Sequence, residues 1–214
     1  MEEFIRIFIL THAAFGGIAM LSGTVAVISK KGSSIHKKTG KLFYYSMLLS
    51  ISMSLIIAIL PGHESAFLFF IGIFSAYFIL IGKRALNYKK GITSIGWDKL
   101  LIILLLFTGL IMICYPIFLY GSPSIVLAVF GSASILLAIE DWRTITNEQS
   151  RKKEWLVIHA SRITGGLIAS VTAFMVVNNF LPGVWNWFAP AIIGSIYIGY
   201  WTIKLKRQLD KKVK

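Results

Sequence analysis

The sequence predicts an all-α fold: a bundle of seven transmembrane helices with its N-terminus outside and its C-terminus in the cytoplasm. Three observations support this prediction. Hydrophobic residues make up 56% of the 214 residues and charged residues only 14%, whereas a globular protein carries about 25% charged residues. Seven long apolar segments follow one another along the chain. The basic residues between those segments alternate so that each connection is assigned to one side of a membrane.

The apolar segments have the length of membrane-crossing helices, which need about 20 residues to cross the hydrocarbon core. We therefore predict a single integral membrane domain over residues 1–214. Its seven spans are residues 4–29, 42–60, 65–82, 100–120, 122–139, 155–181 and 184–203. The acidic residues Glu2 and Glu3 precede the first span, so we interpret that span as a retained helix and not a signal peptide.

Turn-forming residues separate several of these spans. Pro61 ends the second span, Pro123 lies in the tight connection before the fifth, and Pro182 precedes the seventh. Within the fourth span, Pro116 is expected to kink the outer end of the helix. The sixth span is interrupted only by Arg162.

The distribution of basic residues predicts the orientation, because Lys and Arg in short loops remain in the cytoplasm. Twenty of the 22 basic residues lie in alternate connections and in the C-terminal tail, within residues 30–41, 83–99, 143–153 and 204–214. Arg162 lies just inside the sixth span near the same side, and only Arg6 falls on the other side. An alternation of this kind requires an odd number of spans.

The net charge of +13 does not indicate a nucleic-acid partner, because the basic residues form short runs between apolar segments. Such runs are typical of loops beside anionic lipid. The expected partner is therefore the lipid bilayer, with anionic lipids at its cytoplasmic face. The single cysteine, Cys114, excludes an internal disulfide and a metal site built on several thiolates.

Small residues recur four positions apart in several spans, as at Ala13 and Gly17 and at Gly165 and Ala169. This spacing allows two helices to approach closely. It predicts tight helix packing and carries no message about function.

The four histidines are the candidate cofactor ligands: His12, His36, His63 and His159. Two of them fall near the outer face and two near the inner face. A protein that holds two b-type haems one above the other needs this distribution, since each iron takes axial ligands from two helices. The alternative is that these are ordinary interfacial or hydrogen-bonded histidines. A zinc site is less favoured, because only His12, His63 and Glu64 could converge outside.

A second candidate site lies at the inner end of the fifth and sixth spans. Glu140 and Asp141 end the fifth span, and Arg162 follows in the sixth on the same helical face as His159. We predict that Arg162, Glu140 and Asp141 form a ligand-binding group, in which Arg162 binds an anion and His159 relays a proton. The alternative is a helix hairpin stabilised by exposed salt bridges. We interpret Asp98, beside Lys99, as a member of such an exposed salt bridge.

One stretch carries a family resemblance. It runs from Thr11 through Gly17, Gly23 and the Lys31-Gly32 loop, and then through His36, Gly40 and Phe43 to Met47. This pattern resembles a domain-of-unknown-function family of bacterial multi-spanning membrane proteins. The resemblance implies a multi-pass protein of the bacterial cytoplasmic membrane without an assigned activity. It also favours His12 and His36 over His63 as functional residues.

Three functional hypotheses follow from these residues. The first is electron transfer through haem b bound by the histidines. The second is a small transporter or channel that uses the same His and Arg groups as a proton or anion path. The third is a structural or regulatory membrane subunit. No P-loop or dinucleotide-binding fingerprint points to a nucleotide enzyme.

Overall fold

A computed structural model describes residues 2–90 and 94–211 of the chain, and this part consists of seven α-helices joined by short connections. The helices are α1 (Glu2–Ile28), α2 (Ser34–Ile57), α3 (Ala66–Tyr88), α4 (Gly96–Tyr120), α5 (Ile125–Thr146), α6 (Glu148–Asn178) and α7 (Trp185–Lys211). The predicted all-α class is confirmed, and each predicted span falls largely within one helix.

Six of these helices have the length and composition of membrane spans. Among the described residues, α1 to α6 are 22 to 31 residues long and apolar enough to cross a bilayer. The chain is therefore a multi-pass membrane protein by the character of its helices. Helix α7 is long enough, but its tryptophans, tyrosines, Asn186 and Pro190 lower its mean hydropathy, so the seventh span remains a prediction.

Several helices extend beyond the predicted spans into charged sequence. Helix α2 begins at Ser34, well before residue 42, because the hydroxyl of Ser33 accepts a hydrogen bond from the His36 backbone N–H at 3.2 Å and caps the helix. Helix α5 continues to Thr146 and α6 starts at Glu148. Lys, Arg and Glu are good helix formers, so an apolar pattern marks the membrane-embedded part of a helix and not its ends.

The chain divides into two compact units. Unit 1 comprises Met1–Ile79 and Thr164–Gly194. Within it, α1 and α2 pack antiparallel and approach closely at Gly23. A Cβ atom added at Gly23 would lie 2.8 Å from a ring carbon of Phe43 and 2.9 Å from Leu167. Only glycine fits between these two side chains.

Unit 2 comprises Leu80–Ile163 and Ser195–Lys214. Within it, α4 and α5 meet at Gly109 and Gly131. A Cβ atom on either glycine would lie 2.7 Å from the backbone oxygen of the other. The two backbones are therefore in direct contact, as in helix pairs built on small residues.

Candidate functional site

The central contact of unit 2 is an ion pair between Arg162 on α6 and Asp141 near the end of α5. Nε of Arg162 donates to Oδ2 of Asp141 at 2.9 Å, and Nη2 donates to Oδ1 at 2.6 Å. Asp141 is fully buried and Arg162 is 8% exposed. This two-pronged geometry is the strong form of an arginine–carboxylate contact.

Glu140 connects the buried pair to the surface. Its Oε2 lies 3.4 Å from Nη2 of Arg162, and its side chain is 65% exposed. The remaining Nη1 of Arg162 donates to the hydroxyl of Ser161 at 3.1 Å. The structure thus brings together all three predicted residues of the ligand-binding group, one of them at the surface and two of them buried.

A second ion pair, which the sequence did not predict, joins α3 to the start of α4. Its carboxylate is buried, and its Arg84 side chain is 28% exposed. Nε and Nη2 of Arg84 donate to Asp98 Oδ1 and Oδ2 at 2.6 and 2.7 Å. The hydroxyl of Tyr88 donates to Asp98 Oδ1 at 2.6 Å. Both Asp98 and Tyr88 are fully buried. The sequence signal was an acidic residue in the first turn of one helix and a basic residue in the last turns of the preceding one.

The neighbouring Lys99 takes no part in this second pair. Its ammonium lies 5.9 Å from the ring centroid of Trp142. Asp98 therefore pairs with a residue 14 positions away and not with its sequence neighbour.

His159 lies in the same unit, one helical turn before Arg162. Its Nδ1 is 2.8 Å from the backbone oxygen of Gly82 on α3. Since a carbonyl oxygen can only accept, Nδ1 carries the proton, and Nε2 presents a lone pair in the neutral ring. The side chain is half-buried.

His12 and His36 form a reciprocal contact between α1 and α2 in unit 1. Nδ1 of His12 donates to the backbone oxygen of Ser50 at 2.9 Å, and Nδ1 of His36 donates to that of Ala26 at 2.9 Å. The Ser50 hydroxyl also donates to the His12 backbone oxygen at 3.0 Å. Each helix thus donates one histidine hydrogen bond to the backbone of the other, and the two bonds lie near opposite ends of the α1–α2 contact.

The distance between these two contacts bears on the haem hypothesis. His12 and Ala26 are fourteen residues apart on α1, which corresponds to about 21 Å at 1.5 Å per residue. His12 and His36 are therefore too far apart to bind one iron. His63 is exposed in the connection after α2. His12 contacts α2 at Ser50, and α2 continues for about 10 Å beyond Ser50 before the connection that holds His63 begins.

Unit 1 keeps His12 and His36 about 21 Å apart along α1. Unit 2 contains only His159 among the four histidines. Within residues 2–90 and 94–211, no group of three or more His, Cys, Asp or Glu side chains could hold a metal ion. Haem ligation by each of the four histidines therefore remains a prediction.

No protein-family model matches this chain, and neither a curated protein nor a solved structure matches it significantly. The family resemblance of the N-terminal stretch remains a prediction. Any functional proposal must accordingly be based on the chemistry of the sites themselves.

Proposed function

We propose that this protein is a transporter of a bacterial cytoplasmic membrane that carries a small anion together with a proton. It crosses the bilayer seven times, with its N-terminus outside and its C-terminus in the cytoplasm. The observation that carries the proposal is the buried pair of Arg162 and Asp141 on helices of membrane-spanning character. Ionisable groups on membrane-spanning helices are costly, and they commonly mark ion and substrate paths.

The pair provides a physical basis for coupling an anion to a proton. A small anion competes with Asp141 for the guanidinium of Arg162, which is a planar donor suited to carboxylate and phosphate groups. Once displaced, Asp141 is a buried carboxylate without its counter-charge, and it takes up a proton. One anion and one proton are then bound, and the site remains neutral.

Two neighbouring side chains can supply the proton path. Glu140 is exposed at one side of the pair and lies within 3.4 Å of Arg162. His159 is one turn away, with its Nδ1 proton held by the Gly82 carbonyl. In this proposal the proton reaches Asp141 through one of these two groups, and Asp141 returns to Arg162 when the anion leaves.

The Arg84–Asp98 pair has a structural role in this proposal. Asp98 accepts hydrogen bonds from two nitrogens of Arg84 and from the Tyr88 hydroxyl. An incoming anion would have to break three hydrogen bonds to displace it. In this proposal the pair ties α3 to α4.

Proteoliposomes containing a pH-sensitive dye test the transport proposal. Inward gradients of chloride, nitrate, sulfate, phosphate and succinate serve as probes, with potassium and valinomycin to hold the membrane potential at zero. We expect at least one anion to acidify the interior. Arg162→Lys should insert normally but abolish this signal, because an ammonium cannot reproduce the two-pronged contact.

His63→Ala is the matched control, since His63 is an exposed histidine outside the site. It should acidify like the wild-type protein. If none of the five anions acidifies the wild-type vesicles beyond empty ones, or if Arg162→Lys behaves like wild type, the pair is a structural clamp and the transport proposal fails.

The proposed orientation has its own test. A reporter that is active only in the periplasm should be silent when it is fused after Lys214, and it should be active when it is inserted after Gly62. Activity at the C-terminal fusion would contradict an odd number of spans.

Haem-mediated electron transfer is the second candidate function. It is favoured by the Nδ1 contacts of His12, His36 and His159 with backbone carbonyls, since metal-bound histidines usually donate their other N–H in this way. Protein from haem-sufficient cells should then show a Soret band and dithionite-sensitive α and β bands, and His159→Ala should remove part of that spectrum. A colourless protein would contradict this candidate.

A further inference from the structure

The C-terminal part of α7 carries an open groove that none of the sites above includes. It has a volume of about 390 Å³ and is lined, among the described residues, by Tyr200, Ile203, Lys204, Arg207 and Gln208. Two of these five side chains are cationic and none is acidic. We propose that this groove binds one anionic phospholipid, with its phosphate between Lys204 and Arg207.

The order of residues along one face of α7 matches the two halves of a phospholipid. Ile196, Tyr200 and Ile203 are spaced four and three apart and are exposed. Arg207 follows four residues later on the same face. An acyl chain can lie along the first three residues while the phosphate reaches the basic pair, as expected at a membrane interface.

The ammonium group of Lys204 lies against two aromatic rings. Its Nζ lies 4.8 Å from the ring centroid of Trp201 and 5.6 Å from that of Tyr200. Such cation–π contacts fix an ammonium that otherwise rotates freely. The positive charge is therefore positioned at the groove before the lipid arrives.

Among the described side chains, the nearby acidic residue pairs with a different cation. The nearby acidic residue Glu154 pairs with Lys206 at 3.1 Å, and Lys206 does not line the groove. The negative end of a helix dipole acts over the last turn only, whereas Lys204 lies about two turns before Lys211. The proposed phosphate supplies a counter-charge to Lys204, and it adds to the helix C-terminus as a partner of Arg207.

Native mass spectrometry of the detergent-purified protein tests the proposal. Phosphatidylglycerol and phosphatidylcholine with identical acyl chains are added in turn, and the bound lipid is counted. We expect selective retention of one phosphatidylglycerol. Changing Lys204→Gln and Arg207→Gln together should weaken that binding about thirtyfold, since each basic residue near a membrane contributes about 1 kcal/mol and 1.4 kcal/mol is tenfold.

Two further double variants separate a built site from diffuse attraction. Lys37→Gln with Lys38→Gln removes the same charge from exposed positions in the first turn of α2 and should leave binding unchanged. Lys204→Arg with Arg207→Lys keeps both charges and should retain the lipid.

Three outcomes would overturn the proposal. Equal loss in the two Gln double variants would show that only net charge matters. Equal retention of the two lipids by the wild-type protein would show that the phosphate environment is not selective. If inorganic phosphate displaces phosphatidylglycerol at equal concentration, the groove binds a free anion and not a lipid.

Discussion

The two units of this protein join their helices by different means. In unit 1, α1 and α2 are connected by neutral hydrogen bonds from His12 and His36 to backbone carbonyls. In unit 2, ion pairs between an arginine and a buried aspartate join α3 to α4 and α5 to α6. Neutral contacts tolerate the loss of a partner, whereas a buried charge does not. We therefore expect larger stability losses from single changes in the ion pairs of unit 2 than from changes in the histidine contacts of unit 1.

Loss of one charge from the Arg162–Asp141 pair should have the largest effect. Arg162→Ala leaves Asp141 buried without its counter-charge, and we expect a loss of about 3–5 kcal/mol in the free energy of unfolding. Arg162→Lys should lose much less stability because it keeps the charge. Denaturation in mixed micelles measures both, and similar losses for the two variants would contradict the electrostatic explanation.

The contact between Gly109 and Gly131 should give the next largest effect. Gly109→Ala places a methyl group 2.7 Å from a backbone oxygen, and the helices must separate at a cost of about 1–3 kcal/mol. Gly17→Ala is the matched control, because a Cβ atom there meets nothing within 4 Å. Its melting temperature in detergent should equal or exceed that of the wild type. Equal losses for both variants would contradict the close approach of α4 and α5.

Gly109 and Gly131 also show why the sequence alone does not predict every close approach of two helices. Small residues four apart predicted close approach at Gly17 and Gly165, and a Cβ at Gly165 would lie 2.7 Å from Phe78 while Gly17 has open space. Gly109 and Gly131 have no small residue four positions away and were missed. The spacing of small residues within one helix identifies a face without large side chains. Whether another helix packs closely against that face depends on the residues of that other helix.

The apolar pattern of the sequence predicts the positions of the helices, but it does not predict which charged residues form ion pairs. Hydropathy located all seven helices, because lipid solvates the apolar residues wherever the chain crosses it. The grouping of Arg162, Glu140 and Asp141 followed from their positions at the facing ends of two spans. Arg84 was assigned to a loop because hydropathy ends α3 near Gly82, so its pairing with Asp98 was not predicted.

The histidine contacts of unit 1 should have smaller effects. His12→Ala and His36→Ala each remove one neutral hydrogen bond between α1 and α2, at an expected cost of about 1 kcal/mol. Because the two contacts are about 21 Å apart, their effects should add in the double variant. A loss in the double variant that is well below the sum of the two single losses would contradict the separation of the two contacts.

His63→Ala should have the smallest effect of all. The side chain is exposed in the connection between α2 and α3, so its removal leaves no buried group without a partner. We expect the melting temperature and any haem spectrum to remain as in the wild type. A loss of either would show that the His63 side chain has a stabilising partner or binds haem.

The central claim is that the Arg162–Asp141 pair exchanges with an anion while the Arg84–Asp98 pair does not. The most direct measurement is anion-driven acidification of proteoliposomes containing two charge-neutral double variants. One carries Arg162→Gln with Asp141→Asn, and the other carries Arg84→Gln with Asp98→Asn. Neither leaves an uncompensated buried charge, so both should fold. Loss of acidification in the first variant alone is the predicted result. Loss in both, or in neither, would contradict the assignment of transport to Arg162 and Asp141.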